Sequence, residues 1–208
     1  DRGIFLNKTY RLHPKINNFT SPSFYEGRLL THSDNEKRKI NFIKGCPIIS
    51  EGVHYIQMDH EDRTQTSDEE YQVISKIVKQ LLASKFVDKD NKVRDLTIKD
   101  ILIVSPYNAQ VNYLLARLDK NSRVGTVDRF QGQEAPICIV SMTTSDIENL
   151  PRNKKFFFNR NRLNVAISRA ECASIILFNP RLLDTAPDDY EEMKMLNNFY
   201  KLQKYKIN

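Results

Sequence analysis

The chain is poor in features that would place it in several common classes. Its three cysteines, Cys46, Cys138 and Cys172, lie far apart with no C-x-x-C and no Cys/His cluster. That argues against a zinc site or a disulfide framework and for reduced, mostly buried thiols in a cytoplasmic protein. No apolar run approaches the roughly 18 to 20 residues that a membrane-spanning helix requires, and no signal-peptide pattern is present. His54 and His60 lack partners at metal-ligand spacing, so packing or surface roles are expected and no metal site. There is no G-x-x-x-x-G-K-S/T loop, whose amides and lysine would cradle β and γ phosphates, and no apolar strand ends in an Asp-Glu pair suited to magnesium.

Between Pro151 and Ala170 acidic residues are also missing, while Arg152, Lys154, Lys155, Arg160, Arg162 and Arg169 all fall there. Such a run is either a phosphate-facing surface or a solvated face. The formal charge of +6 over 208 residues leans toward an anionic partner. The length suits a single domain near the upper end for one core.

The most informative stretch is VGTVDRFQGQEAPICIVS, from Val124 to Ser141, taken with RLNVAISRA, from Arg162 to Ala170. Ile137 to Met142 is too continuously apolar for a half-exposed strand and too short for most helices, so it predicts a buried parallel strand. Loops at strand ends of such sheets hold ligands. Gly132 permits close backbone approach, Gln131 and Gln133 offer amide donors, and the Glu134 carboxylate suits a ribose. Leu163, Ala166, Ile167 and Ala170 keep helical spacing and should pack on the sheet, with Arg162 and Arg169 projecting from an adjacent face. Planar, permanently charged guanidinium groups suit phosphate. Taken singly, each arginine is equally an ordinary surface ion pair, and Glu134 a solvated carboxylate.

The remaining chain predicts an α/β fold. Residues 1–30 form an entry segment in which Pro14 opens a short helix with Ile16 and Phe19 inward, Phe24 and Tyr25 pack nearby, and His13 supplies a cap. Tyr10 and Arg11, adjacent at the entry, need a partner. Residues 31–66 read as irregular or short strands without chemistry, at Ile40 to Ile43, Pro47 to Ile49 and Val53 to Met58. Residues 67–208 read as the α/β core. Ser67 and Glu70 spell a capping box before a helix with Val73, Ile74, Ile77, Val78 and Leu81 inward. Ser84 to Asp100 suggests an exposed loop or hairpin. Ile101 to Val104 is a second buried strand, and Ser105-Pro106 reads as the cap and first turn of a helix carrying Val111, Leu114, Leu115 and Leu118. A helix start at a strand's carboxyl end is ready for phosphate. Equally, Ser105 only caps, Gln110 faces solvent, and Tyr107 is core or a stacking platform. Thr143 to Lys155 suggests a mobile loop and Phe156 to Phe158 a core or docking run. Ser174 to Phe178 is a final strand, and Asp188 to Lys204 a closing helix with Met193, Leu196 and Tyr200 inward.

Four stretches in order, YRLHPKINNFTSPSFYEGRL, ILIVSPYNAQ, VGTVDRFQGQE and NRLNVAISRA, resemble the motif after Walker B and motifs IV, V and VI of superfamily-one helicases, in the nonsense-decay branch. The wording FTSPSFYEGRL, SPYNAQV and FFFNRNRLNVAISRA is most similar to bacterial proteins joining a RecB-like nuclease to such a helicase. The resemblance implies a RecA-like, P-loop NTPase-type domain with a mostly parallel sheet flanked by helices. With Walker A and B absent, it implies the second motor domain of a longer protein, inactive alone. ATP and magnesium would bind mainly to the missing first motor domain, which is also the expected partner. By the same resemblance Tyr10 stacks on adenine, Arg11 and Arg169 act catalytically on the γ-phosphate, Glu134 holds the ribose, and Gln131, Gly132 and Arg162 complete the nucleotide side. Motif IV implies strand contacts by Ser105, Pro106, Tyr107, Asn108 and Gln110, and motif V by Thr126, Ser141 and Thr143. The strand is single-stranded nucleic acid, with DNA favoured over RNA and no membrane involved. No carboxylate cluster with a lysine in nuclease-like spacing occurs, so any nuclease lies outside this chain. The alternative is a non-catalytic nucleic-acid-binding module, against which the Arg11, Glu134 and Arg169 set weighs.

Overall fold

A computed structural model describes residues 5–48, 50–145 and 159–207. Arg152, Lys154, Lys155, Phe156 to Phe158, most of the expected loop after Thr143 and the side chain of Arg160 lie outside the described residues. In chain order the elements are β1 (Lys8–Thr9), α1 (Pro14–Phe24), β2 (Leu30–Thr31), β3 (Lys39–Asn41), β4 (Gly52–Gln57), α2 (Asp68–Leu82), β5 (Lys85–Val87), β6 (Val93–Asp95) and β7 (Ile101–Val104). They continue with α3 (Asn108–Leu115), β8 (Arg123–Gly125), β9 (Ala135–Ser141), α4 (Arg160–Ile167), β10 (Ala170–Phe178), α5 (Tyr190–Leu202) and β11 (Lys206–Ile207).

Six strands form the main sheet in the order β11-β4-β10-β9-β7-β8, and every neighbouring pair runs parallel. A sheet covered on both faces needs apolar side chains on both, which is why β7 and β9 read as unbroken apolar runs. Alternation then sorts them. Leu102, Val104, Cys138 and Val140 join the core under α1, α4 and α5, whereas Ile101, Ile103, Ile137 and Ile139 join the one under α2 and α3. β3, β5 and β6 make a small antiparallel sheet, and β1 pairs with β2. The fold is RecA-like α/β.

Strand β4 lies where a short strand was expected, at Val53 to Met58, and joins the main sheet along its length beside β10. His54 and His60 are both buried, which fits packing, one of the two roles expected. Other local expectations need correction. Helix α3 begins at Asn108, not at Pro106, because Tyr107 is extended (φ −113, ψ 129) and sends its ring into the core; Ser105 Oγ accepts from Tyr107 N at 3.5 Å instead. Helix α4 ends at Ile167, so Arg169 lies beyond it, and its seven-residue spacing from Arg162 does not place them on one helical face. On α5 the inward residues are Leu196, Phe199 and Leu202, while Met193 and Tyr200 are about half exposed, at 49% and 48%. Tyr200 stays at the surface because its hydroxyl donates to Leu183 O at 2.8 Å.

Candidate nucleotide and nucleic-acid interface

At the amino ends of β9 and β10, residues distant in sequence converge. Arg11 Nε donates to Glu134 Oε2 at 2.5 Å, and Arg11 Nη1 donates to Ser168 O at 3.1 Å. Arg169 is buried to 9% exposure, with Nε on Val165 O and Nη1 on Gln133 O, both at 3.1 Å. Burial, and then the charge of Arg11, press its guanidinium below the usual arginine range. Tyr10 is 66% exposed and stacks on His32, ring centroids 4.9 Å apart. Tyr10, Arg11, Glu134 and Ser168 line an open hollow of about 460 Å³, with Lys8, Leu12 and Tyr25 among its other walls. Gln131 and Gly132 are exposed beside Glu134; Gly132 takes φ +80 with open space where a Cβ would stand, so its backbone is approachable.

The Tyr10–Arg11 turn is held from behind by residues from a segment whose sequence signal was weak. Asn35 Nδ2 donates to Thr9 O and Leu12 O, at 3.2 and 3.1 Å. The buried Arg38 donates Nη1 to Arg11 O and to Asn35 Oδ1, while its Nε lies 3.3 Å from Glu171. Burial pushes the Glu171 carboxyl up, with Arg38 opposing. His13 caps α1, its Nδ1 accepting from Lys15 N at 3.1 Å.

The carboxyl ends of β7 and β9 are built differently. Ser105, Gln110, Ser141 and Thr143 are each 0% exposed and bond to one another or to α2. Gln110 Nε2 donates to Ser141 Oγ at 3.1 Å and Gln110 Oε1 accepts from Ser67 N at 3.0 Å. Ser105 Oγ and Thr143 Oγ1 are 3.3 Å apart. Tyr107 is core. Of the residues expected at the strand, Asn108 is exposed and Pro106 and Thr126 are half-buried. Arg162 lies 3.6 Å from Asp128 Oδ2, at a small apolar hollow lined also by Pro106, Val127 and Met142.

The carboxylate at the centre of this end, Glu70, was legible only as a helix cap. Ser67 Oγ does accept from Glu70 N, at 3.1 Å, but Glu70 turns inward to Ser141, Thr143 and His60. Burial drives the Cys138 thiol up to about 12, and all three cysteines are buried and free. Among the described residues no helix is long and apolar enough to cross a membrane, and no group of His, Cys, Asp or Glu could hold a metal ion.

Residues 1–181 match the AAA domain family model AAA_12. The chain is 30% identical to the Regulator of nonsense transcripts 1 homolog of Arabidopsis thaliana, over 88% of this chain and 15% of that protein. It is 28% identical to DNA polymerase alpha-associated DNA helicase A of Schizosaccharomyces pombe, over 79% of this chain and 26% of that protein. It therefore spans only a minor part of these relatives. Among solved structures it aligns with the C-terminal domain of a possible DNA helicase from Lactobacillus plantarum, at TM-score 0.42 and 16% identity, covering 88% of this chain and 96% of that one. By the match over residues 1–181 and the helicase relatives, the chain belongs to the AAA domain family and is a motor domain of the superfamily-one helicase type.

Proposed function

We propose that the chain is the C-terminal motor lobe of an ATP-dependent nucleic-acid helicase or translocase of the nonsense-decay branch, similar to bacterial nuclease–helicase fusions. The observation that carries this is the meeting of Arg11 with Glu134, 123 positions apart in sequence, beside Arg169 and in one hollow with the exposed ring of Tyr10. The donor set is rich in arginine, which fits phosphate rather than magnesium. ATP and magnesium are held mainly by the first motor lobe, and the triphosphate supplies the bond that is hydrolysed.

Within this lobe, Tyr10 offers a face to the adenine, Gln131 and Gly132 allow close approach, and Glu134 accepts from the ribose. Arg11 exchanges Glu134 for the γ-phosphate on docking. Arg169 is already oriented by two carbonyls and presents its remaining guanidinium edge, while Arg162 steadies the adjoining loop. Both catalytic arginines stabilise charge developing on the phosphate. Pro106, Asn108 and Thr126 face single-stranded nucleic acid, with Ser105, Tyr107, Gln110, Ser141 and Thr143 setting that surface from within. Relatives named for DNA and for transcripts both occur, so both strands belong in the test.

That test is ATP turnover, with and without single-stranded DNA or RNA, for this chain alone and for the protein containing both lobes. Only the two-lobed protein should turn over, stimulated by a strand, and Arg169→Ala should cut turnover by roughly a thousandfold. Near-normal turnover in that variant defeats the assignment. A two-lobed protein without turnover whose short chain still binds strand tightly replaces it with a binding module.

A further inference from the structure

We infer that Glu70 is a positioning residue which, from inside the domain, fixes the backbone at Thr143 and so holds the strand-facing end of the sheet in shape. The inference rests on the strand-track reading above. Its first support is what Glu70 does not do. In a capping box its carboxylate would return to the Ser67 amide, yet that amide is bound by Gln110 and Glu70 is 0% exposed. A buried carboxylate carries a desolvation cost that hydrogen bonds to its oxygens must offset, and a helix start alone gives no reason to bear that cost.

Both carboxylate oxygens are engaged. Oε1 accepts from Thr143 N at 2.8 Å and lies 3.5 Å from Nε2 of the enclosed His60, and Oε2 accepts from the Ser141 hydroxyl. Its main target is a strained residue. Thr143 has φ +72, a left-handed conformation that is costly for a β-branched residue and persists only where surroundings over-determine it. Those surroundings extend along the chain: Thr144 Oγ1 donates to Arg63 O at 2.9 Å, Ser145 N donates to the same carbonyl at 2.8 Å, and Arg63 N donates to Ser145 Oγ at 3.1 Å. Through Ser105, whose hydroxyl meets Thr143, the hold reaches the turn bearing Pro106 and Asn108. The arginine cluster lies at the other end of β9 and β10, so loosening this network should leave it in place.

The experiment is a titration of ATPase stimulation by single-stranded DNA and by RNA in the full-length protein, before and after substitution. Glu70→Ala should raise the strand concentration for half-maximal stimulation by about tenfold, the scale of one lost charged hydrogen bond, with basal turnover unchanged. Glu70→Gln should stay near wild type, because its amide still accepts from Thr143 N and can donate to Ser141. An unchanged half-maximal concentration in Glu70→Ala overturns the inference, as does a loss spread equally over basal and stimulated turnover. A wild-type protein that no strand stimulates fails at the earlier reading and removes the inference with it. If Glu70→Ala does not fold, amide exchange in the wild-type protein decides: a protected Thr143 amide supports the anchor, and one exchanging like an exposed amide overturns it.

Discussion

The two ends of the main sheet solve different problems with different chemistry. At the amino ends of β9 and β10 the groups are charged and accessible: in the Arg11–Glu134 pair the side chains are 31% and 51% exposed. The network that joins the carboxyl ends of β7 and β9 to α2 is instead made of hydroxyls, an amide and one carboxylate, from Ser105, Thr143, Ser141, Gln110 and Glu70, each enclosed. A ligand can engage the first set directly by exchanging one partner for another. The second set is bonded internally, and its proposed role is to set the shape of what lies outside it. The usual rule places ligands beyond the carboxyl ends of parallel strands; here the charged cluster lies at the amino ends, as the proposed role of completing a partner lobe's nucleotide site would require.

The comparison is sharpened most by Gln110. It is 0% exposed and serves both Ser67 N and Ser141 Oγ, so Gln110→Ala strands a buried donor and loosens a second group. The expected loss is about 1–3 kcal/mol of unfolding free energy, read from urea melts, with basal turnover little changed. Full stability in that variant, with strand affinity abolished, would instead place the side chain on the nucleic acid and dissolve the distinction between the two ends.

The difference between the ends also explains what could be read from the sequence. Strands β7 and β9 were legible because burial on both faces leaves an unbroken apolar run, and α2 because Ile74, Ile77, Val78 and Leu81 keep helical spacing. Strand β4 was legible as a short strand at Val53 to Met58, but its place beside β10 was not, because that is a long-range pairing. Glu70 was misread because a capping box and an inward carboxylate share one spelling, and only the competition of Gln110 for the Ser67 amide separates them. Glu134 stood out in the turn before β9 and Arg11 as a side chain needing a partner, but the γ-phosphate role of Arg11 came only by resemblance and the pairing of the two from neither, since no spacing argument reaches across 123 positions. For Arg162 and Arg169, helical spacing was carried past the point where α4 ends.

A smaller effect tests a partly exposed ion pair at the carboxyl end. Arg63 binds Glu69 through Nε and Nη2, at 3.1 and 2.7 Å, and its hydrogen bonds hold the Glu69 carboxyl down to about 2. A depressed carboxyl stabilises the fold above the ordinary carboxylate range and loses that contribution as pH falls from about 4.5 toward 2. Both side chains are partly exposed, at 43% and 37%, so the contribution is below about 1 kcal/mol. Glu69→Gln should lower stability by that much at pH 7 and flatten this part of the acid melting profile. An acid profile identical to wild type would show that the pair does not help to hold the Thr144–Ser145 turn.

The smallest effect on stability belongs to Glu134, for the reason that makes it interesting. Its pair with Arg11 is short but exposed, so solvent screening reduces its worth to roughly 0–0.5 kcal/mol. Arg11 also keeps a second anchor on Ser168 O. Glu134→Gln should therefore melt within about 0.5 kcal/mol of wild type in moderate salt. Its consequence should appear instead in the full-length protein as weaker nucleotide binding, since the proposed ribose acceptor is lost while Arg11 stays in place. A large loss of stability would mean that the pair is structural, that Arg11 is not free to exchange partners, and that the amino end is as closed as the carboxyl end.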